Sequence, residues 1–294
     1  MIQKQVELLS NWHESGQYFT YQNHRIFYQY HGNKNLPCLL LIHGYPSASW
    51  DWHLQWSQLS KHFQLITLDM LGFGFSAKPR YANYSIYLQA DIISALLRQL
   101  NITGVHVLSH DYGDTVAQEL LARSYHQEKQ AVEVTSLCLL NGGLFPETHK
   151  PLFLQKLLLS PLGPLVAQLA GFRKFKKSFA DICAVPLPDS ELKNLWSLII
   201  FNQGKPILAK LIGYMQERKK FRQRWVEALQ DSDIPLRLID GMQDPISGAH
   251  MVARFRQLID NADVVELEGV GHYPQLEAPE ATLSAFLVFH GLVQ

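Results

Sequence analysis

The sequence predicts an α/β fold: a mostly parallel, doubly wound sheet with a helical cap inserted late in the chain. Apolar runs of strand length (38–42, 65–68, 105–108, 135–140, 236–239 and 264–267) alternate with amphipathic segments at 52–62, 86–100, 115–125, 249–259 and 279–289. Strands apolar on both faces belong to a sheet covered on both sides by helices. The alternation stops between 146 and 232, where helical segments follow one another between Pro151, Pro161, Pro164, Pro186, Pro188 and Pro206. The 294 residues are 47% hydrophobic and only 18% charged, against roughly 25% charged in an average soluble domain. A large buried core follows, and disorder or a fibrous structure is excluded.

Taken in order, segments 18–21 and 25–30 flank Asn23-His24 and read as a hairpin. The run 38–42 ends in His43-Gly44-Tyr45-Pro46, a tight turn whose Tyr45-Pro46 bond is a candidate for the cis form. The run 65–68 leads into Asp69-Met-Leu-Gly72-Phe-Gly74-Phe-Ser76, read as a supporting turn. The core is expected over 1–145 and 233–294, with the cap over 146–232. Cys38, Cys138 and Cys183 make neither a disulfide framework nor a metal cluster. The N-terminus lacks the apolar run of a signal peptide, and the stretch 152–172 is too interrupted to span a membrane. A cytoplasmic setting is expected.

The net charge of zero disfavours a duplex-binding protein. It hides an asymmetry: 14 Lys and Arg against 7 Asp and Glu give the segment 146–232 a net +7, leaving −7 for the rest.

The chemistry concentrates at three strand ends. The strand 105–108 enters a helix through Ser109-His110-Asp111-Tyr112-Gly113, a small-x-nucleophile-x-small turn that lifts its central side chain above the sheet. The centre is Asp, set over a helix N-terminus whose free N–H groups favour a carboxylate; taken alone, Asp111 is equally well read as a helix cap. Two further segments favour the nucleophile. Strand 236–239 leads to Asp244, and strand 264–267 leads through Glu268-Gly-Val-Gly to His272. Asp111, Asp244 and His272 stand in the chain order nucleophile, acid, base, each past the carboxyl end of a strand. The backbone N–H groups of Tyr45 and Tyr112 are the expected oxyanion donors.

With His43-Gly-Tyr-Pro, Leu71-Gly-Phe-Gly-Phe-Ser, Ser109-His-Asp-Tyr-Gly-Asp, Asn141-Gly-Gly-Leu-Phe-Pro and Arg218-Lys-Lys-Phe-Arg-Gln-Arg-Trp, the chain resembles the α/β-hydrolase superfamily. The branch it resembles has an aspartate nucleophile and holds epoxide hydrolases and haloalkane dehalogenases; the subgroup is that of the mesoderm-specific transcript proteins. The resemblance implies a covalent alkyl ester on Asp111, hydrolysed by a water that His272, held by Asp244, activates.

The expected substrate is therefore a small molecule with a leaving group on saturated carbon, foremost an epoxide. Epoxide hydrolases protonate the alkoxide with cap tyrosines; Tyr214 is the cap tyrosine here, and Tyr112 is the candidate second donor. Dehalogenation is the alternative, although Tyr112 and Tyr45 occupy the positions of the usual halide donors. A non-catalytic scaffold working through the basic cap is the reading from another class. The pocket is expected between cap and sheet, lined by Tyr45, Trp50, Tyr112, Tyr214 and Tyr273, with no metal or organic cofactor. Asp114, where the branch has Gly, is expected to cap the helix. Asn141, an amide, is not expected to replace Asp244 as relay acid. The basic stretches at 173–177 and 218–224 read first as solvated helix faces and second as a contact for anionic membrane. A monomer or dimer is expected, with no nucleic acid bound.

Overall fold

The computed structural model describes residues 2–293, and side chains from Leu8 onward. Eight strands form one sheet: β1 (Gln17–Tyr21), β2 (His24–His31), β3 (Cys38–Ile42), β4 (Gln64–Leu68), β5 (Gly104–His110), β6 (Glu133–Leu140), β7 (Leu236–Gly241) and β8 (Asp263–Leu267). Their order across the sheet is β1-β2-β4-β3-β5-β6-β7-β8. The β1–β2 hairpin and the β2–β4 pair are antiparallel, and every pair from β4 to β8 is parallel.

The central strands are buried along their whole length where their sequences are uninterrupted Leu and Ile, as in Cys38–Ile42. β8 is half-buried throughout, as suits an edge strand. Helices α1 (Ile2–Ser15), α2 (His53–Leu59), α3 (Ile86–Gln99), α4 (Tyr112–Tyr125), α12 (Ala249–Leu258), α13 (Pro274–Glu277) and α14 (Pro279–Phe289) flank the sheet or extend it. Seven more lie between β6 and β7: α5 (Phe153–Leu158), α6 (Gly163–Gln168), α7 (Phe172–Ala180), α8 (Asp189–Ile200), α9 (Leu208–Leu211), α10 (Tyr214–Lys220) and α11 (Arg222–Asp231). No strand interrupts this insertion, which explains why the alternating pattern fails there.

The insertion is fastened to the sheet by polar side chains. Lys78 Nζ donates to the carbonyls of Gly74, Leu198 and Phe201 at 2.7, 2.8 and 2.8 Å, closing the C-terminal end of α8. Burial pushes that ammonium down to about 7, with the charge of Asp69 working against the shift. Trp50 Nε1 donates to Glu191 of α8 at 2.7 Å. Arg224 bridges Glu119 and Glu128, and Trp225 Nε1 donates to Glu119 at 2.8 Å. Within the basic stretch 218–224, Arg218 and Arg224 turn inward onto the core, a correction to its reading as a solvated face, whereas Lys219 and Lys220 are exposed as that reading has them. No helix among the described residues is long and apolar enough to cross a membrane.

Candidate active site

β5 hands the chain to α4 through Asp111, whose backbone takes φ 47° and ψ −105°. A non-glycine residue there costs of order 1–3 kcal/mol and persists only where its surroundings impose it. The surroundings are close. A Cβ on Gly113 would stand 2.5 Å from the carbonyl oxygen of Ile42, and one on Gly44 would stand 2.6 Å from His110 Nδ1. Only glycine at both positions lets the end of β3 and the start of α4 approach this near.

That approach presents the Tyr45 amide to Asp111: Tyr45 N–H donates to Asp111 Oδ2 at 3.1 Å. The Tyr45-Pro46 bond is cis. The loop after β4 braces the same turn, since Asp69 accepts the amides of Ser49 and Phe75, and Met70 N–H donates to His43 Nε2. The Tyr112 amide makes no hydrogen bond to Asp111 in this state among the described residues.

The other carboxylate oxygen, Oδ1, faces the insertion. The Tyr214 hydroxyl lies 3.4 Å from it and Arg218 Nη2 lies 3.8 Å away. Arg218 is wholly buried, stacks 4.4 Å from the centre of the Tyr214 ring, and donates from Nε to Thr115 Oγ1 at 2.7 Å and from Nη2 to the Asp111 carbonyl at 3.2 Å. Burial works against charge on Asp111, but His272, Arg218, His110 and the Tyr45 amide outweigh it and hold the carboxyl below its ordinary range. Burial, reinforced by the charge of Asp111, raises the Tyr214 hydroxyl and keeps it protonated at neutral pH.

His272 Nδ1 meets Asp244 Oδ2 at 2.7 Å. Asp244 is held in turn by the Ile246 amide at 2.7 Å, by Ser247 Oγ at 2.8 Å and by Asn141 Nδ2 at 3.1 Å. Asn141 also donates to Asp240 and accepts the Gly241 amide; the amide that cannot relay charge itself fixes the group that can. Burial disfavours charge on His272, yet Asp244 and Asp111 on either side prevail and raise it to about 9. His110, pushed down to about 4 chiefly by burial, is neutral and donates through Nε2 to the His272 carbonyl at 2.7 Å, fixing the loop that carries the base.

Asp114 does not cap α4. It is fully buried, accepts Ser109 Oγ at 2.5 Å, and leaves Oδ2 without a partner. Burial, with the charge of Asp111 adding to it, raises it well above the ordinary carboxyl range, so it stands neutral beside Asp111. A side chain buried on the sheet side of the elbow has no route to the free amides of the helix end.

A cavity of about 250 Å³ lies between the insertion and the sheet, with Tyr45 and His272 among its lining residues. Of the five aromatics expected to line it, only Tyr45 does. Trp50 is drawn away by Glu191 and by the edge of Trp12, at a ring separation of 5.8 Å. Tyr112 is buried under Phe73 and Tyr214, and Tyr273 turns its hydroxyl to the Tyr45 carbonyl at 3.2 Å. Tyr214 touches Asp111 without joining the wall. Arg218, His110 and His149 are the site residues that sequence reasoning missed, and Asn141, considered there only as a substitute for Asp244, is instead its hydrogen-bond donor. Burial and Arg218 push His149 down to about 3, and neither of its ring nitrogens has a partner among the described residues.

The model of the α/β hydrolase fold family matches residues 37–279. The chain is 42% identical over 292 residues to the mesoderm-specific transcript homolog protein of Bos taurus, covering 96% of this chain and 87% of that protein. It is 25% identical over 275 residues to epoxide hydrolase 3 of Xenopus tropicalis, covering 87% of this chain and 72% of that one. The structure of a haloalkane dehalogenase loop variant from Bradyrhizobium elkanii overlays with a TM-score of 0.79 at 20% identity, covering 95% and 97% of the two chains; at that identity the likeness speaks for the fold.

Proposed function

The chain belongs to the α/β hydrolase fold family, and from that premise we propose that it hydrolyses an epoxide through a covalent ester on Asp111, beneath a cap formed by the insertion. The observation that carries this reading is the carboxylate of Asp111. One oxygen rests on the Tyr45 amide and the other faces the Tyr214 hydroxyl, so the proposed proton donor stands within hydrogen-bond distance of the oxygen proposed to attack.

In the proposed sequence Oδ1 attacks a ring carbon, the C–O bond breaks, and the alkoxide takes the Tyr214 proton, leaving a hydroxyalkyl ester. Asp111 has then lost the negative charge that helped keep His272 protonated. His272 releases its proton, which returns to the Tyr214 phenolate, and becomes a base. It takes a proton from water as the water oxygen attacks the ester carbonyl. The Tyr45 amide, joined by that of Tyr112, holds the oxyanion; collapse leaves Asp111 as the carboxylic acid while the departing alkoxide takes the proton from His272 to give a diol, and the Asp111 proton then passes to His272, restoring carboxylate and imidazolium.

Single-turnover reaction of an epoxide in ¹⁸O-labelled water tests the proposal. Label is expected in the Asp111 carboxylate, and His272→Gln is expected to accumulate the ester as an added mass on the peptide holding Asp111. Absence of both with a broad set of epoxides overturns it. Label entering with haloalkanes alone assigns the site to dehalogenation.

A further inference from the structure

One edge of the insertion is left uncovered. Phe153, Leu162, Leu165 and Leu169, on and between α5 and α6, are 79%, 60%, 59% and 66% exposed. Isolated apolar residues on a surface are ordinary, but these lie on two short helices packed against each other and are flanked by one sign of charge. Residues 148–180 hold six Lys and Arg and no Asp or Glu. Lys176 and Lys177 pair with Asp189 and Asp181; Lys150, Lys156, Arg173 and Lys174 pair with no carboxylate among the described residues. An apolar face rimmed by cations is the composition of a segment that lies in the headgroup region of a bilayer.

The cavity opens at the same edge. Leu154 and Lys174, both exposed, stand at its outer end, and Tyr45 and His272, both buried, at its inner end. Between them the wall includes Leu157, Leu158, Ala167, Phe175, Phe179 and Ile199. About 250 Å³ is less than the roughly 300–1,000 Å³ of an ordinary ligand site, and a wall that is chiefly aliphatic and aromatic suits an aliphatic chain. We propose that this edge rests on an anionic lipid surface and that the enzyme draws from it a long-chain amphiphilic substrate. The reactive carbons go to Asp111 and the polar end stays at Lys174. A second copy of the chain is a poorer occupant, since it would set the same unpaired cations against each other. The surface stands on its own observations; the substrate class rests on the proposed chemistry.

Flotation of the full chain with vesicles of phosphatidylcholine, with and without phosphatidylserine, tests the surface. Binding is expected to the anionic vesicles and to weaken with salt, each cation contributing about fivefold to the partition. The double variant Leu165→Asp/Leu169→Asp and, separately, Arg173→Glu are expected to lose at least fivefold in binding. Both are expected to keep the wild-type melting temperature and, on a short water-soluble epoxide, the wild-type rate. Equal binding of wild type and variants, no binding by wild type, or a wild-type dimer that the double variant dissolves overturns the proposal. Asp111→Asn is expected to bind vesicles normally. Binding without turnover of any epoxide leaves the surface standing and removes the chemistry. For the substrate, KM over a series of terminal epoxides is expected to fall at least tenfold with lengthening chain; a flat series overturns the long-chain class.

Discussion

Arg218 Nη2 stands 3.8 Å from Asp111 Oδ1, and both residues are almost completely buried. A carboxylate so far from water keeps its charge only because cations share its enclosure, and Arg218 is the permanent one. Breaking a buried pair from one side costs about 3–5 kcal/mol. Arg218→Gln is therefore expected to destabilise the fold by that order in urea titration. In whatever remains folded, the acid limb of kcat/KM is expected to move to higher pH. Arg218→Lys is expected to restore the position of the limb better than the rate, because ammonium cannot reproduce the fork that reaches Thr115 and the Asp111 carbonyl. An unmoved limb in Arg218→Gln counts against the pairing.

His272 gives the stability a pH signature. Its folded value is raised to about 9, against about 6.5 in an unfolded chain. The stabilisation is full below about 6.5 and is lost as pH rises through about 9. The melting temperature of wild type is expected to fall over that window more than that of His272→Gln. Parallel curves for the two proteins would remove His272 as the source.

Asn141 supplies the N–H that Asp244 and Asp240 share. Asn141→Asp replaces a donor by another acceptor among buried carboxyls, which is expected to cost about 3 kcal/mol or more. Turnover is expected to fall because His272 loses its fixed partner. Full activity in Asn141→Asp, with an unchanged urea midpoint, would show that Asp244 does not depend on it.

Lys78→Met removes the donor to three carbonyls that join the loop after β4 to the end of α8. Each buried carbonyl left without a partner costs about 1–3 kcal/mol. Faster amide exchange in 195–205 is expected, beyond any change in the central strands. Uniform exchange across the protein would mean that Lys78 serves the whole fold instead.

The sheet and the placing of Asp111, Asp244 and His272 after its strands were legible because both are written locally. A fully buried parallel strand is a run of Leu, Ile and Val, and the residues after it belong to one edge of the sheet. Asp111, Asp244 and His272 could be lined up on that basis alone. Arg218 could not, since in sequence it is the first of several basic residues and its burial depends on how α10 lies over α4. Trp50 was misplaced for the same reason: its partner Glu191 lies 141 positions away. Asp114 was misread because a carboxylate in the first turn of a helix usually faces water, whereas here Ser109 and the close glycines hold it inside. Helix α1, whose Leu9 and Trp12 pack one turn apart into the core, went unassigned.

The ties of Glu119 show where the insertion is held. Trp225, Arg224 and Arg123 all end on this one fully buried carboxylate of α4, and Arg218 adds its bond to Thr115 on the same helix. The insertion is therefore joined at α10 and α11 to the helix that begins beside Asp111, while α5 and α6 show solvent their bare side. Its ties to α4 come from the last two helices of the insertion and its uncovered apolar surface from the first two, so attachment and exposure fall at opposite ends of one inserted segment.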